Sequence, residues 1–210
     1  MPGITLYNFE LDDQCYQVRL MLSMLGVDYH AEAIDMMPGV EEKKPPMLAI
    51  NPRGSLPVLV DGDLTIAGGG AALAHVASAH DPAGTWLPRT PAAFAPVIHW
   101  LDFAMTMLRD AATARRVALF GLPGDIETLR ASSVRAFRIM DDHMLRRQIA
   151  GQEWFAGETA TVADVALFPL FALSRDFGVD HDEFHGLRRW IRRFRALPGF
   201  ITMPGIPDYH

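Results

Sequence analysis

Apolar residues in the second half of the chain return every three or four positions. Phe94, Val97, Leu101, Met105 and Leu108 form one series and Ile126, Leu129, Ser133, Phe137, Met140 and Met144, with one small polar member, another, the spacing that lines one face of a helix. Gly121-Leu122-Pro123-Gly124 separates the two, and Asp125 stands where a side chain caps the second. Thr161 and Asp164 have the spacing of a capping box, with Asp in place of Glu, and predict a third helix start. Leu187, Trp190, Ile191, Phe194 and Leu197 predict an amphipathic helix whose wet face carries Arg188, Arg189, Arg192, Arg193 and Arg195.

The first 80 residues read differently. Residues 4–9 are a short β-prone run, residues 14–25 have helical periodicity through Val18, Leu22 and Leu25, and Gly26 is a natural stop. A second strand over 27–34 and a poorly defined helix over 40–50 follow. A strand led by Pro57, a turn at Asp61-Gly62-Asp63, another strand and a helix over 69–80 complete the series. This βαβαββα order is that of a thioredoxin-like α/β unit. Turn residues at Asp81-Pro82-Ala83-Gly84 and Pro88-Arg89-Thr90-Pro91 mark a linker. The expected fold class is α/β plus all-α: a thioredoxin-like domain over 1–80, a linker over 81–90 and a helical bundle over 91–210.

Composition narrows the function. With 210 residues, half of them hydrophobic, the chain can bury a sizeable core. No apolar stretch approaches the ~20 residues of a membrane span, and Met1-Pro2-Gly3-Ile4 lacks a basic leader region. A net charge of -6 argues against general nucleic-acid binding. A single cysteine, Cys15, excludes an internal disulfide and a Cys-cluster metal site. The expectation is a cytoplasmic protein acting on small molecules, with no membrane or nucleic-acid partner. His181 and His185 have metal spacing, but no third ligand is evident and Asp182 stands where zinc proteases need Glu; structural histidines and no metal are expected.

Asn51-Pro52-Arg53-Gly54-Ser55-Leu56-Pro57-Val58-Leu59 carries the most specific signal. A Pro entering a strand cannot donate to the ladder, and X-Pro is where a cis peptide is cheap, so Leu56-Pro57 is the cis candidate. A bend there leaves the Leu56 amide and carbonyl for an extended peptide to pair with. This segment resembles the Asn-Pro-x-Gly-x-(Val/Leu)-Pro-x-Leu motif of the cytosolic glutathione transferase family. A second stretch, from Glu153-Trp154-Phe155-Ala156-Gly157 to Thr161-Val162-Ala163-Asp164, resembles the family's aromatic-x-x-Gly and Thr-x-Ala-Asp segment. The Leu197-Pro198-Gly199-Phe200 tail is similar to a bacterial branch. The resemblance covers essentially the whole chain. It implies glutathione as cosubstrate on the first domain, a small hydrophobic or anionic electrophile in a cleft between the domains, and a homodimer.

Two departures from the family pattern are visible. Registered on Val18-Arg19-Leu20, the position of the family's catalytic Ser falls on Asp12, and an ionised Asp cannot donate a hydrogen bond. Asp12 and Asp13 read as helix-capping and first-turn charges, or as a general base or the holder of a cationic substrate group. Cys15 ends an Asp12-x-x-Cys15 motif where thioredoxin relatives carry Cys-x-x-Cys; it reads as a buried structural thiol or as a reactive one. Strand alternation would aim Asn8 at the site as a replacement donor and Tyr7 at the core. Asn8, Asp12 and Cys15 are therefore the catalytic candidates. The family's Glu-Ser pair is replaced by Gly68 and Gly69, whose amides at a helix N-terminus remain an anion site. Losing both side chains costs roughly 1–3 kcal/mol of glutathione binding. Lys43, Leu56, Pro57, Gly68 and Gly69 are the expected glutathione contacts, and Trp100, Phe103, Met107, Arg109 and Arg115 the expected cleft residues, with Arg116 beside them. The alternatives are a binding protein that has lost glutathione and an enzyme repurposed for another ligand.

Overall fold

The computed structural model describes residues 3–208. Met1, Pro2, Tyr209 and His210 lie outside the described residues, and with them the outer ends of the two expected domains. In the first half, β1 (Ile4–Asn8), α1 (Asp13–Met24), β2 (Tyr29–Ala33), α2 (Pro45–Ile50), β3 (Val58–Asp61), β4 (Leu64–Ala67) and α3 (Gly69–His80) follow in the expected order. The sheet runs β2-β1-β3-β4, with β1 parallel to β2 and the other two pairings antiparallel. Alternation along β1 divides its side chains between two apolar layers. Ile4 and Leu6 join the main core with α1 and α3, whereas Tyr7 and Phe9 pack on a smaller cluster of Cys15, Ile34, Met47, Leu56 and Val58.

The second half is helical: α4 (Pro91–Thr106), α5 (Arg109–Phe120), α6 (Ile126–Ile149), α7 (Val162–Ala172) and α8 (His185–Arg195). The periodicity over 94–108 predicts one helix, but the helix breaks at Met107 and Leu108. Both amides donate to the Phe103 carbonyl, at 2.9 and 3.3 Å, and α5 then restarts. Leu108 stays buried on the same face, which is why the apolar pattern runs through the break unchanged. Every residue of α7 is buried, as expected of a helix apolar all round. The main core is one cluster that includes Leu6 and Val18 as well as Trp190 and Phe194, so the two expected domains share it. The Gln17 Nε2 amide donates to the Ala166 carbonyl at 2.8 Å and the Tyr16 hydroxyl to the Ile201 carbonyl at 2.6 Å, tying α1 to the helical half. The linker is packed as well: the Trp86 amide donates to Asp81, and the Trp86 carbonyl accepts from the Val162 amide.

On α8, Arg188 pairs with Asp182 at 2.7 Å, Arg193 with Glu153 at 2.8 Å, and Arg195 with Asp208. His181 is buried, stacks on Phe171 and shares a 2.8 Å hydrogen bond with Ser174; burial pushes its pKa down to about 4, so it is neutral at pH 7. His185 is exposed, and no metal-ligand cluster occurs among the described residues. None of their helices is long and apolar enough to cross a membrane.

The capping box at the start of α7 forms as expected and does more than end a helix. Asp164 is fully buried; one carboxylate oxygen accepts from the Thr161 amide and hydroxyl, and the other from the Phe155 amide and the Trp190 indole. One carboxylate thus holds α7, the 153–161 loop and α8 together. Replacing Asp164 by Ala strands these buried donors and is expected to lower stability by about 3 kcal/mol in urea unfolding. A loss below about 0.5 kcal/mol, the range of ordinary surface changes, would contradict this role.

Candidate active site at the domain interface

The turn that leaves β1 is pinned by two neighbouring arginines of α5. Asp12 caps α1: its Oδ1 accepts from the Cys15 amide at 2.9 Å, and its Oδ2 accepts from Arg116 Nη2 at 2.8 Å. The Asp12 side chain is 2% exposed and that of Arg116 40%, so the guanidinium is reachable from solvent and the carboxylate is not. Arg115, about 100° further round the helix, is buried instead. Its Nη1 donates to the Leu11 carbonyl at 2.5 Å and its Nε to Asp176 at 2.8 Å. Burial works against the Arg116 charge, but Asp12 and Asp13 outweigh it, so its pKa lies above the ordinary value.

Beside this turn lies a cavity of about 250 Å³, lined on one side by Phe9, Leu11, Asp12 and the 36–43 loop and on the other by Arg116, Phe120 and Leu122. Its walls are mostly apolar, and the Phe9 and Phe120 rings face each other at 6.1 Å. Lys43, in the short 3-10 turn Glu41–Lys43, lines the cavity. Glu42 lines it too, and its Oε2 is buried with no hydrogen-bond partner. Val40 is held at φ +51°, the left-handed region that a β-branched residue rarely enters.

The edge expected to pair with a peptide is Leu56-Pro57, just before β3. Leu56-Pro57 is cis, as is Met37-Pro38, which carries no comparable motif. Among the described residues no hydrogen bond reaches the Leu56 amide or carbonyl. The expectation that the Gly68 and Gly69 amides stay open needs correction. Gly68 donates to the Pro57 carbonyl at 2.9 Å, and Gly69 to Gln14 Oε1 at 3.0 Å. A Cβ on Gly69 would lie 2.8 Å from Gln17 Oε1 and 3.0 Å from Gln14 Cβ, so α1 occupies the space where the family carries its Ser. Gly68 has φ +102°, and Arg53 Nη1 lies 3.8 Å from where its Cβ would be. Arg53 thus places a cation beside Gly68 at the start of α3.

The remaining candidates separate by burial. Asn8 points to the α1 side of β1, not into the cleft, and its Oδ1 accepts from Arg19 at 2.5 Å. Cys15 is fully buried and accepts from the Phe9 amide; burial, then the Asp12 charge, push its thiol well above the ordinary value. Trp100 and Phe103 are core: the Trp100 ring lies 5.0 Å from Phe103, 4.5 Å from His143 and 4.8 Å from Phe155. Met107 is exposed at the helix break. Arg109 lines a different cavity, and Arg115 is engaged as described. Phe9, Leu11, Glu42, Phe120 and Leu122 carry no sequence signal that singles them out, because the fold alone brings them together.

Family models match both halves of the chain: that described as "Glutathione S-transferase, N-terminal domain" over residues 6–84, and "Glutathione S-transferase, C-terminal domain" over 136–198. Glutathione S-transferase D7 of Drosophila melanogaster is 28% identical over 205 residues, covering 95% of this chain and 88% of that protein. Glutathione S-transferase F10 of Arabidopsis thaliana is 30% identical over 150 residues, covering 69% and 68%. A solved structure of a possible glutathione S-transferase from Rhodopseudomonas palustris superposes with a TM-score of 0.86 at 26% identity, covering 98% of this chain and all of the other.

Asp13, next to the pinned turn, is in an unusual state. Its side chain is buried and Oδ2 has no partner; burial first, then the Asp12 charge, push its pKa up to about 6. A folded state that holds this proton more tightly than the unfolded chain loses stability as pH rises from about 4 to 6. Replacing Asp13 by Asn is expected to raise stability at pH 8 on the order of 2 kcal/mol, with the gain vanishing near pH 4, in chemical unfolding across pH. A less stable variant at pH 8 would contradict the assignment.

Proposed function

The chain belongs to the glutathione S-transferase superfamily, and from that premise we propose that it transfers the glutathione thiol to a small electrophile held in the 250 Å³ cavity. Glutathione lies along Leu56-Pro57 in this reading, with its backbone paired to the free Leu56 amide and carbonyl as an added strand. Lys43 and Arg53 supply cations for its carboxylates. The thiol faces the β1–α1 turn, and the electrophile sits against Phe9, Phe120 and Leu122. The family resemblance extends the proposal to a cytoplasmic homodimer.

One observation carries the chemistry: the Arg116 guanidinium stands at the mouth of the cavity where the family relies on a hydroxyl at position 12. Asp12 has both carboxylate oxygens engaged, and its charge is balanced by Arg116. Arg116 retains further N–H donors and is partly open to solvent. A thiolate at the turn is stabilised by that cation and by the amides of the first turn of α1. The thiol proton leaves to solvent, the sulfur attacks the electrophilic carbon, and the leaving group departs or an addition product picks up a proton. Arg116 therefore replaces the missing donor, and Asp12 positions it.

A second reading rests on Gly69. Its amide is capped by Gln14 and its neighbour Gly68 has no side chain, so the γ-glutamyl end has fewer partners than in the family pattern. That favours a protein which keeps the fold but has lost glutathione. Calorimetry separates the two: the transferase reading expects glutathione binding in the millimolar range or tighter, and no heat at millimolar glutathione would leave the second. Where glutathione binds, Arg116→Ala is expected to lower kcat/KM for conjugation about 10- to 100-fold at pH 6.5, with partial recovery at pH 8.5, while Arg116→Lys retains most activity. An unchanged rate in Arg116→Ala would remove Arg116 from the mechanism.

A further inference from the structure

A second cavity of about 210 Å³ lies between α1 and the α4–α5 break, lined by Asp13, Gln14 and Gln17 on one side and by Met105, Arg109 and Thr113 on the other. Two of its polar groups are unsatisfied. Asp13 and Gln17 are 2% and 0% exposed, and Asp13 Oδ2 and Gln17 Oε1 have no hydrogen-bond partner. The Gln17 amide cannot turn over to remedy this, because its Nε2 donates to the Ala166 carbonyl at 2.8 Å. Both unpaired atoms are acceptors, and buried acceptors without donors are costly. The cations nearby do not meet the need: Arg116, which also lines the cavity, is paired with Asp12, and Arg115 is bound to Leu11 and Asp176.

We propose that this cavity binds a small molecule bearing a primary ammonium beside a carboxylate. The ammonium has three donors and a positive charge, matching Asp13 Oδ2 and Gln17 Oε1 together. The adjacent carboxylate matches the exposed Arg109 guanidinium on the opposite wall, whose neighbour Thr113 already donates its hydroxyl to the Arg109 carbonyl. The volume suits an amino-acid-sized ligand, and Leu108, Ala112 and Leu170 close the rest with apolar surface. Helix α7 contributes only Leu170 to the lining, so no further charge from that side competes for the ammonium. Two sources offer the same head group: a free amino acid, or the γ-glutamyl end of glutathione, since Gln14 lines this cavity and also holds the Gly69 amide at the start of α3. The assignment stands whether or not the Leu56-Pro57 edge takes glutathione.

Calorimetry of the full chain with L-glutamate and with N-acetyl-L-glutamate tests it, because acetylation removes the ammonium charge and keeps both carboxylates. L-glutamate is expected to bind in the millimolar range and the acetylated probe at least tenfold more weakly. Asp13→Asn, which removes the charge at constant shape, is expected to lose at least tenfold in L-glutamate affinity while remaining folded; Gln17→Met serves as a second variant with the same expected loss. Competition between L-glutamate and glutathione identifies the γ-glutamyl end as the source, and independent binding identifies a free amino acid. Equal binding of the two probes, no binding of L-glutamate at millimolar concentrations, or undiminished affinity in Asp13→Asn would each overturn the proposal and leave a cavity filled by water alone.

Discussion

Two consecutive arginines on α5 decide how the halves of this chain meet. Arg115 turns inward to the Leu11 carbonyl and Asp176, and Arg116 turns to the rim and grips Asp12. The bonds to Leu11 and Asp12 cross from the helical half to the turn that leaves β1, while Asp176 anchors Arg115 from within the helical half, so the cap of α1, the mouth of the 250 Å³ cavity and the domain interface are fixed by one set of contacts. Charge balance follows from the same arrangement. A buried carboxylate at position 12 without a cation would be strongly disfavoured, and any thiolate brought to the turn would then meet a bare negative charge. With Arg116 in place, that position presents a neutral pair with a cationic outer edge.

The same helix α1 shapes the start of α3. Gln14 and Gln17 reach toward α3 and leave no room for a Cβ at position 69, so the glycine there is a packing requirement rather than a relaxed helix start. The glutamines and Gly69 form one unit, and the adjoining cavity holds the acceptors this exchange leaves unpaired. Departures that look separate along the chain, at positions 12 and 68–70, meet on two sides of the first turns of α1.

The sequence carried the fold well because its signals are local. Apolar periodicity, Gly26, Pro57 and the Thr161–Asp164 spacing each report on a few neighbouring residues, and the structure bears out the elements they predict. The helix break at Met107 was hidden because Leu108 keeps the apolar face in phase across it. The site was less legible because its contacts are long-range. Asp12 meets Arg116 across 104 positions, and Gln14 meets Gly69 across 55. Nothing in an Arg-Arg pair says which member faces a cleft, and only the rotation of α5 against the β1 turn assigns Arg115 to the interior. Alternation along β1 identified two faces, but Asn8 and Arg19 bond to each other on the face opposite the cleft. Cys15 is fully buried on the other, beneath the turn.

The chemistry attributed to this turn comes down to the charge state of a bound thiol. Thiolate absorbance of glutathione in its complex with the protein, followed against pH, reports that state directly. An Arg116 guanidinium that outweighs the buried Asp12 requires the bound thiol to ionise at least about one unit below the ~8.5 of a free thiol, with the shift lost in Arg116→Ala. A bound thiol that ionises at or above the free value would contradict it, and would mean that Asp12, not Arg116, sets the potential at the turn.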